Sequence, residues 1–147
     1  MPKIDAHLRL ANRNQFTLTA LMDAASSDEH DDSHDEWIAT IAFYKAVQLA
    51  EALRVKQTGR GSTDHKTRND WVRVHHPLLY KHLRPLYQSS LVARYLGYSE
   101  NGNSQSFDCF ANYMSGGVVD KLVKRRLVPF EDALLQVIQI EFERARF

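Results

Sequence analysis

Apolar residues recur along most of the chain at steps of three and four, the spacing of one face of an α-helix. The first such stretch covers residues 4–25 and predicts an amphipathic helix. The second covers about 36–55 and is apolar on almost every face, which predicts a helix surrounded by other helices. Its polar residues fall on one stripe: Thr40, Tyr44, Gln48 and Glu51.

Helix signals continue beyond this central segment. Gly59 and Gly61 predict its end, Asp64 is a suitable N-cap for a third helix, and Pro77 suits the first turn of a fourth. We interpret residues 99–106 as a polar loop and residues 104–147 as carrying one or two C-terminal helices. No alternating pattern predicts a strand, so the expected class is all-α.

The length and composition fit one folded unit. A chain of 147 residues supports one hydrophobic core, so we expect a single domain over 1–147. The single cysteine excludes an internal disulfide, and we expect Cys109 to be buried. No apolar run approaches the roughly 20 residues that span a bilayer, and the N-terminus lacks the apolar stretch of a secretion signal. We therefore expect a cytoplasmic protein without a membrane partner.

The net charge of +1 hides an uneven distribution. Residues 23–36 hold seven acids and no Lys or Arg, which leaves 11 acids against 19 bases in the rest of the chain. The segment 54–84 alone carries eight bases and four of the seven histidines. Such a surface suits a phosphate-bearing partner, although a solvated helix face without a ligand has the same composition. The role of the acidic segment stays open.

Arg68 and His75 are the strongest candidates for chemistry. They lie seven residues apart, close to two helical turns, so a helix would place both on one face. A histidine can move the proton of a 2′-hydroxyl, and an arginine can hold the phosphate and balance its charge. The two turns span about 10.8 Å, so joint action on one phosphate needs an interrupted helix or a two-fold dimer. Two solvated surface residues are the alternative, because roughly one or two such spacings occur by chance.

Metal binding is the weaker interpretation of the histidines. His30 and His34 have the i, i+4 spacing of a metal pair and lie among acids, but the sequence fixes no third ligand. His75 and His76 point about 100° apart on a helix and cannot share an ion. We therefore predict no metal site and no cofactor.

Four stretches, read in order, resemble the HEPN domain (higher eukaryotes and prokaryotes nucleotide-binding): HLRLANRNQF, DEWIATIAFYKAVQLAEAL, DHKTRND and YKHLRPLYQSSLVARY. The resemblance covers about residues 6–96. It implies an up-and-down bundle of four to five helices that often forms a homodimer. Many such domains are metal-independent endoribonucleases, some of them toxins or defence effectors. The resemblance then implies that Arg68 holds the scissile phosphate, that His75 acts as general acid or base, and that Asn69 orients either of these two side chains.

Further residues around this motif would contact RNA. Lys66 and Arg73 are expected to bind the RNA backbone, and His65 and His76 are the other RNA-binding candidates. The expected partners are RNA, a second copy of the chain, and an antitoxin or other partner protein.

The sequence departs from the family at two positions. Pro77 occupies the place of a Tyr found in toxin members, and Gln48 replaces a His that is usual in this branch. Some HEPN domains are non-catalytic and bind nucleotides or other proteins, and this is the alternative function. In that case His65 and Arg68 would hold the bundle together.

Overall fold

The computed structural model describes residues 3–26, 32–115 and 117–147. These ranges are mostly helical with one small two-stranded sheet, in agreement with the predicted all-α class. In chain order the elements are α1 (Ile4–Ala25), α2 (Asp32–Thr58), α3 (His65–His75), α4 (Pro77–Tyr95), β1 (Gly97–Glu100), β2 (Asn103–Ser106), α5 (Phe110–Tyr113), a π-helix (Val119–Leu127) and α6 (Val128–Val137).

Helix α2 is the centre of the molecule, as its apolar faces predict. It packs against α1 on one side and α4 on another, and it also contacts α3 and the π-helix. Its side chains Ile38, Phe43 and Leu53 are fully buried. The helix begins at Asp32 rather than near residue 36, so part of the predicted acidic loop is helical. Residues 27–31 of that acidic segment lie outside the described ranges.

Several predicted helix boundaries are confirmed. Helix α1 covers the predicted residues 4–25. Asp64 caps α3, because its Oδ1 accepts a hydrogen bond from the Thr67 backbone N–H at 2.7 Å. Pro77 occupies the first turn of α4. Gly59 follows α2 with a φ of +76°, a conformation that favours glycine.

The predicted loop over residues 99–106 is wrong, because most of it forms a β-hairpin. Strands β1 and β2 pair antiparallel, with Glu100 opposite Asn103. The two residues between the strands, Asn101 and Gly102, have φ values of +52° and +80°. Positive φ at both central positions is the conformation of the tight turn that matches strand twist.

The C-terminal helix is shorter than the sequence predicts. Helix α6 ends at Val137, and Ile138 adopts extended backbone with φ −137° and ψ 156°. From Ile138 onward no helix forms, and burial alternates: Ile138 is buried, Ile140 and Phe142 are half-buried, and the residues between them are exposed. We call residues 138–147 the C-terminal tail.

A buried ion pair fixes the C-terminal tail to the bundle. Lys45 and Glu131 are fully buried, with Lys45 Nζ 2.7 Å from Glu131 Oε2. The same ammonium group donates to the Gln15 Oε1 at 2.7 Å and to the backbone carbonyl of Glu143 at 2.6 Å. Burial lowers the pKa of Lys45, and the Glu131 carboxylate opposes that change. The backbone carbonyl of Glu143 in the tail therefore replaces part of the hydrogen bonding to water that the Lys45 ammonium group lost on burial.

No helix in the described ranges combines the length and the apolar character needed to cross a membrane.

Candidate functional site

Arg68 lies inside the bundle, between α3 and α2, with only 4% of its surface exposed. Its Nη1 is 3.7 Å from Glu51 Oε1, and its Nη2 donates a hydrogen bond to His65 Nδ1. The guanidinium carbon also lies 5.9 Å from the centre of the Phe43 ring. Burial lowers the pKa of Arg68, and the Glu51 carboxylate opposes this shift. The guanidinium is thus held by neighbours within its own chain.

Glu51 links this arginine to the segment between α2 and α3. Its Oε2 accepts a hydrogen bond from the Ser62 backbone N–H at 2.8 Å. A Cβ atom on Gly61 would lie 3.3 Å from the same oxygen, so glycine gives the carboxylate room there. Arg54 Nη1 donates to the Ser62 hydroxyl at 2.7 Å. The pair of Glu51 and Arg68 therefore fixes the entry into α3 as well as its packing.

His65 completes this cluster at the first position of α3. Its ring packs on Phe43 and Tyr87, with centroids 5.4 and 5.8 Å apart. A guanidinium has only donors, so Nδ1 of His65 must accept and the ring proton must be on Nε2. Burial, followed by the charge of Arg68, lowers the pKa of His65. The imidazole is therefore neutral at pH 7.

His75 has a different environment at the other end of α3. The side chain is exposed, and its ring lies 5.3 Å from the Trp71 ring. The neighbouring His76 is exposed in part and hydrogen-bonds through Nε2 to Gln57 Oε1 at 2.7 Å. Burial and the adjacent His75 lower the pKa of His76.

The structure brings Arg68 together with His65 and Glu51, and it does not bring Arg68 together with His75. We expected the Arg68 and His75 side chains to open onto one face of α3. Instead, Arg68 turns towards α2 and His75 towards solvent. Within one chain, the two side chains therefore do not open onto a common cleft.

The remaining predicted residues on α3 divide between core and surface. Asn69 is buried, and its Oδ1 has no hydrogen-bond partner among the described residues. Lys66 and Arg73 are exposed and share one acid, Asp70, at 2.9 and 3.8 Å. The solvent side of α3 thus presents two cations and His75 around a single carboxylate.

An open cavity of about 450 Å³ lies where α1, α2 and the start of α3 meet. Its lining includes His65, Arg68 and Glu51 together with His7 and Gln48, which hydrogen-bond to each other at 2.7 Å. Sequence reasoning missed His7 and Glu51 as neighbours of the candidate site. The polar stripe on α2 is the signal that could have indicated Gln48 and Glu51.

Two further expectations concern metal and thiol chemistry. In the ranges described, no group of three His, Cys, Asp or Glu side chains is placed to hold a metal ion. His34 lies on α2, whereas His30 lies outside the described residues. Cys109 is exposed, so the expectation that it is buried is wrong. It lies just before the short α5, outside the packed faces of the long helices.

Comparison with known proteins gives no assignment. No protein-family model, no curated protein and no solved structure matches the chain. We therefore argue the function from the contacts, burial and charges described above.

Proposed function

We propose that the chain is a HEPN-like helical module that binds a nucleotide, either free or as part of RNA, without cleaving it. The observation that carries this proposal is the position of Arg68, which is buried and held by Glu51 and His65. The guanidinium that cleavage requires is therefore engaged within the bundle.

Metal-independent RNA cleavage needs a guanidinium on the reacting phosphate and an imidazole within hydrogen-bond reach of the moving proton. To reach a phosphate, Arg68 would have to leave Glu51 as an unpaired buried carboxylate. Breaking a buried ion pair in this way costs about 3–5 kcal/mol. This cost favours a structural role for Arg68 and a binding role for the surface around it.

The exposed cations of α3 support a phosphate-bearing ligand. Lys66, Arg73 and His75 all lie on the solvent side, and one acid, Asp70, is shared by the two basic side chains Lys66 and Arg73. The net charge outside residues 23–36 is strongly positive, with 19 bases against 11 acids. Binding through such contacts weakens as salt rises, because it releases counterions from the phosphates.

A ribonuclease is the second candidate, because one imidazole and one guanidinium do meet at an open cavity. His65 and Arg68 are hydrogen-bonded there, and the His65 Nε2 proton remains available for donation. In this version His65 acts in place of His75. The predicted pair of Arg68 and His75 would instead need a second copy of the chain to complete the site.

Cleavage assays with matched variants separate the two candidates. Wild type, His65→Ala and His75→Ala are incubated with labelled single-stranded RNA in EDTA, and circular dichroism checks that each variant is helical. We expect intact RNA in all three reactions. If the wild type shortens the RNA and a folded variant leaves it intact, the protein is a nuclease and not a binding module. The histidine replaced in that variant is then the one that cleavage requires.

A further inference from the structure

A second basic surface lies where α4 packs against the π-helix. An open groove of about 360 Å³ runs between them, and we call it the cationic groove. Its lining includes Pro85, Ser89, Tyr113 and three cations, Lys121, Arg125 and Arg126. None of its eight lining residues is an acid.

Two of these cations lack a carboxylate partner among the residues that the structure describes. Arg125 pairs with Asp120 at 3.1 Å and is largely exposed. For Lys121 and Arg126, the described part of the chain places no carboxylate within 4.0 Å. Neighbouring cations without a counter-charge repel each other, and an anion between them removes that repulsion. The groove therefore favours a negatively charged ligand.

The π-helix places Lys121 and Arg126 on the same wall of the groove. Its hydrogen bonds link residue i to i+5, so residues five apart lie on the same face about one turn apart. The ion pair of Asp120 and Arg125 has this spacing, and so do Lys121 and Arg126. In an α-helix, residues five apart would point about 140° away from each other. Stretches of π-helix are rare and occur frequently at functional sites.

The groove wall formed by α4 and α5 adds hydroxyl groups to the cations of the π-helix. The buried Ser89 hydroxyl and the Tyr113 hydroxyl are 3.2 Å apart. Two turns before Ser89, His82 carries a buried Nδ1 with no hydrogen-bond partner in the described ranges. Burial, with the charges of Arg126 and Lys81, lowers the pKa of His82. The groove thus combines cations and hydroxyl groups beside the apolar surface of Pro85.

We propose that the cationic groove binds the phosphate group of a nucleotide, with Lys121 and Arg126 as its principal ligands. Charge-assisted hydrogen bonds from lysine and arginine are the usual means of holding phosphate. The adjoining Pro85 and Tyr113 side chains can cover the sugar or base. This inference rests on the proposed function and adds a phosphate site to the exposed cations of α3.

The test compares the double variant Lys121→Gln/Arg126→Gln with wild type. Fluorescence anisotropy measures affinity for a labelled single-stranded RNA at several salt concentrations, and calorimetry measures AMP and ATP. We expect the affinity of the double variant to be about tenfold weaker. The slope of log affinity against log salt should fall by about 0.7 for each RNA phosphate that the variant no longer neutralises.

Two control variants isolate the groove from total charge and from folding. Arg9→Gln/Arg13→Gln removes two exposed positive charges on α1 and should change affinity less than threefold. Lys121→Arg/Arg126→Lys keeps both charges and should retain most of the affinity. If the Gln variant fails to fold, the single variant Lys121→Gln takes its place and should lower the salt slope by about 0.7.

Each result has a distinct consequence. If the folded double variant binds RNA with wild-type affinity, the cationic groove is not the phosphate site, and the proposed function is unaffected. Absence of RNA, AMP and ATP binding by the wild type would overturn both. Binding to anionic lipid vesicles without binding to any nucleotide would also overturn both.

Discussion

Burial decides what a charged residue can do, and Arg68 is the clearest case in this chain. An exposed arginine is free to meet a ligand, whereas Arg68 has given up its hydration for contacts with Glu51, His65 and Phe43. Removing one member of a buried ion pair leaves the other charge without compensation. Lys66, two residues earlier, forms an exposed pair of the kind that contributes little to stability.

Arg68 and Lys66 give a pair of contrasting predictions about stability. Arg68→Met should lower the free energy of unfolding by about 3–5 kcal/mol, because Glu51 is left buried and unpaired. Lys66→Ala should lower it by about 0–1 kcal/mol. Urea unfolding followed by circular dichroism measures both. An Arg68→Met protein as stable as the Lys66→Ala protein would mean that Arg68 has no structural role.

The neutral state of His65 predicts a dependence of stability on pH. The folded state lowers the pKa of His65, whereas the unfolded value is about 6.5. Below that value the unfolded chain binds the proton first, so stability is present above about pH 6.5 and is lost as pH falls. Urea unfolding at pH 7.5 and 5.5 should show a smaller loss in His65→Gln than in wild type.

The comparison with His65→Gln is necessary because other histidines act in the same direction. Burial also lowers the pKa of His76 and of His82. The contribution of His65 is therefore the difference between wild type and variant. Equal losses of stability in the two proteins would show that His65 does not titrate as the geometry requires.

Secondary-structure elements were predictable where a local pattern determined them. The three- and four-residue spacing sets α1, and Asp64 sets the start of α3. The hairpin was missed because its strands carry mainly polar residues, such as Ser99 and Ser104, and show no alternation. Its Asn101–Gly102 turn is nevertheless a strong local hairpin signal, and it could have been recognised.

The hairpin turn depends on glycine at two places. Gly102 has a φ of +80°, and a left-handed conformation costs other residues roughly 1–2 kcal/mol. At Gly97, a Cβ atom would lie 2.6 Å from the backbone oxygen of Gln105. Gly102→Ala and Gly97→Ala should each speed hydrogen exchange in β1 and β2, while Ser104→Ala should not. Unchanged exchange in both glycine variants would contradict the described register.

The C-terminal tail contains a period-two pattern that sequence reasoning overlooked. Ile138, Ile140 and Phe142 alternate with polar residues, as in extended chain, although the composition also suits a helix. The buried Lys45 and Glu131 that receive the tail were not predictable, since they are far apart in sequence. Local patterns contain no information about such pairings.

This attachment predicts how the tail responds to mutation. Lys45→Met should lower the free energy of unfolding by about 3 kcal/mol, the low end for breaking a buried ion pair, because Glu131 loses Lys45 but keeps its pair with Arg144 at 2.9 Å. It should also make residues 138–147 more sensitive to limited proteolysis, since the variant cannot donate the hydrogen bond to Glu143. Arg146→Ala, which removes an exposed side chain of the same tail, is the control. Equal cleavage of the two variants would show that Lys45 does not hold the tail.

At the scale of the whole molecule, charge and topology together shape the candidate site. The sequence identified the basic residues of α3, and the structure leaves Lys66 and Arg73 exposed beside Asp70. It did not identify the burial of Arg68 or the cationic groove. Both depend on contacts between helices, which residue spacing within one helix does not determine.

The most direct test of the central claim measures binding and cleavage of one labelled RNA in the same assay. Wild-type protein is mixed with single-stranded RNA in EDTA at low and high salt, and His75→Ala is treated in parallel. We predict that both proteins bind the RNA and leave it at full length, and that the affinity of both is lower at high salt. Shortened RNA with the wild type and intact RNA with His75→Ala would contradict the account.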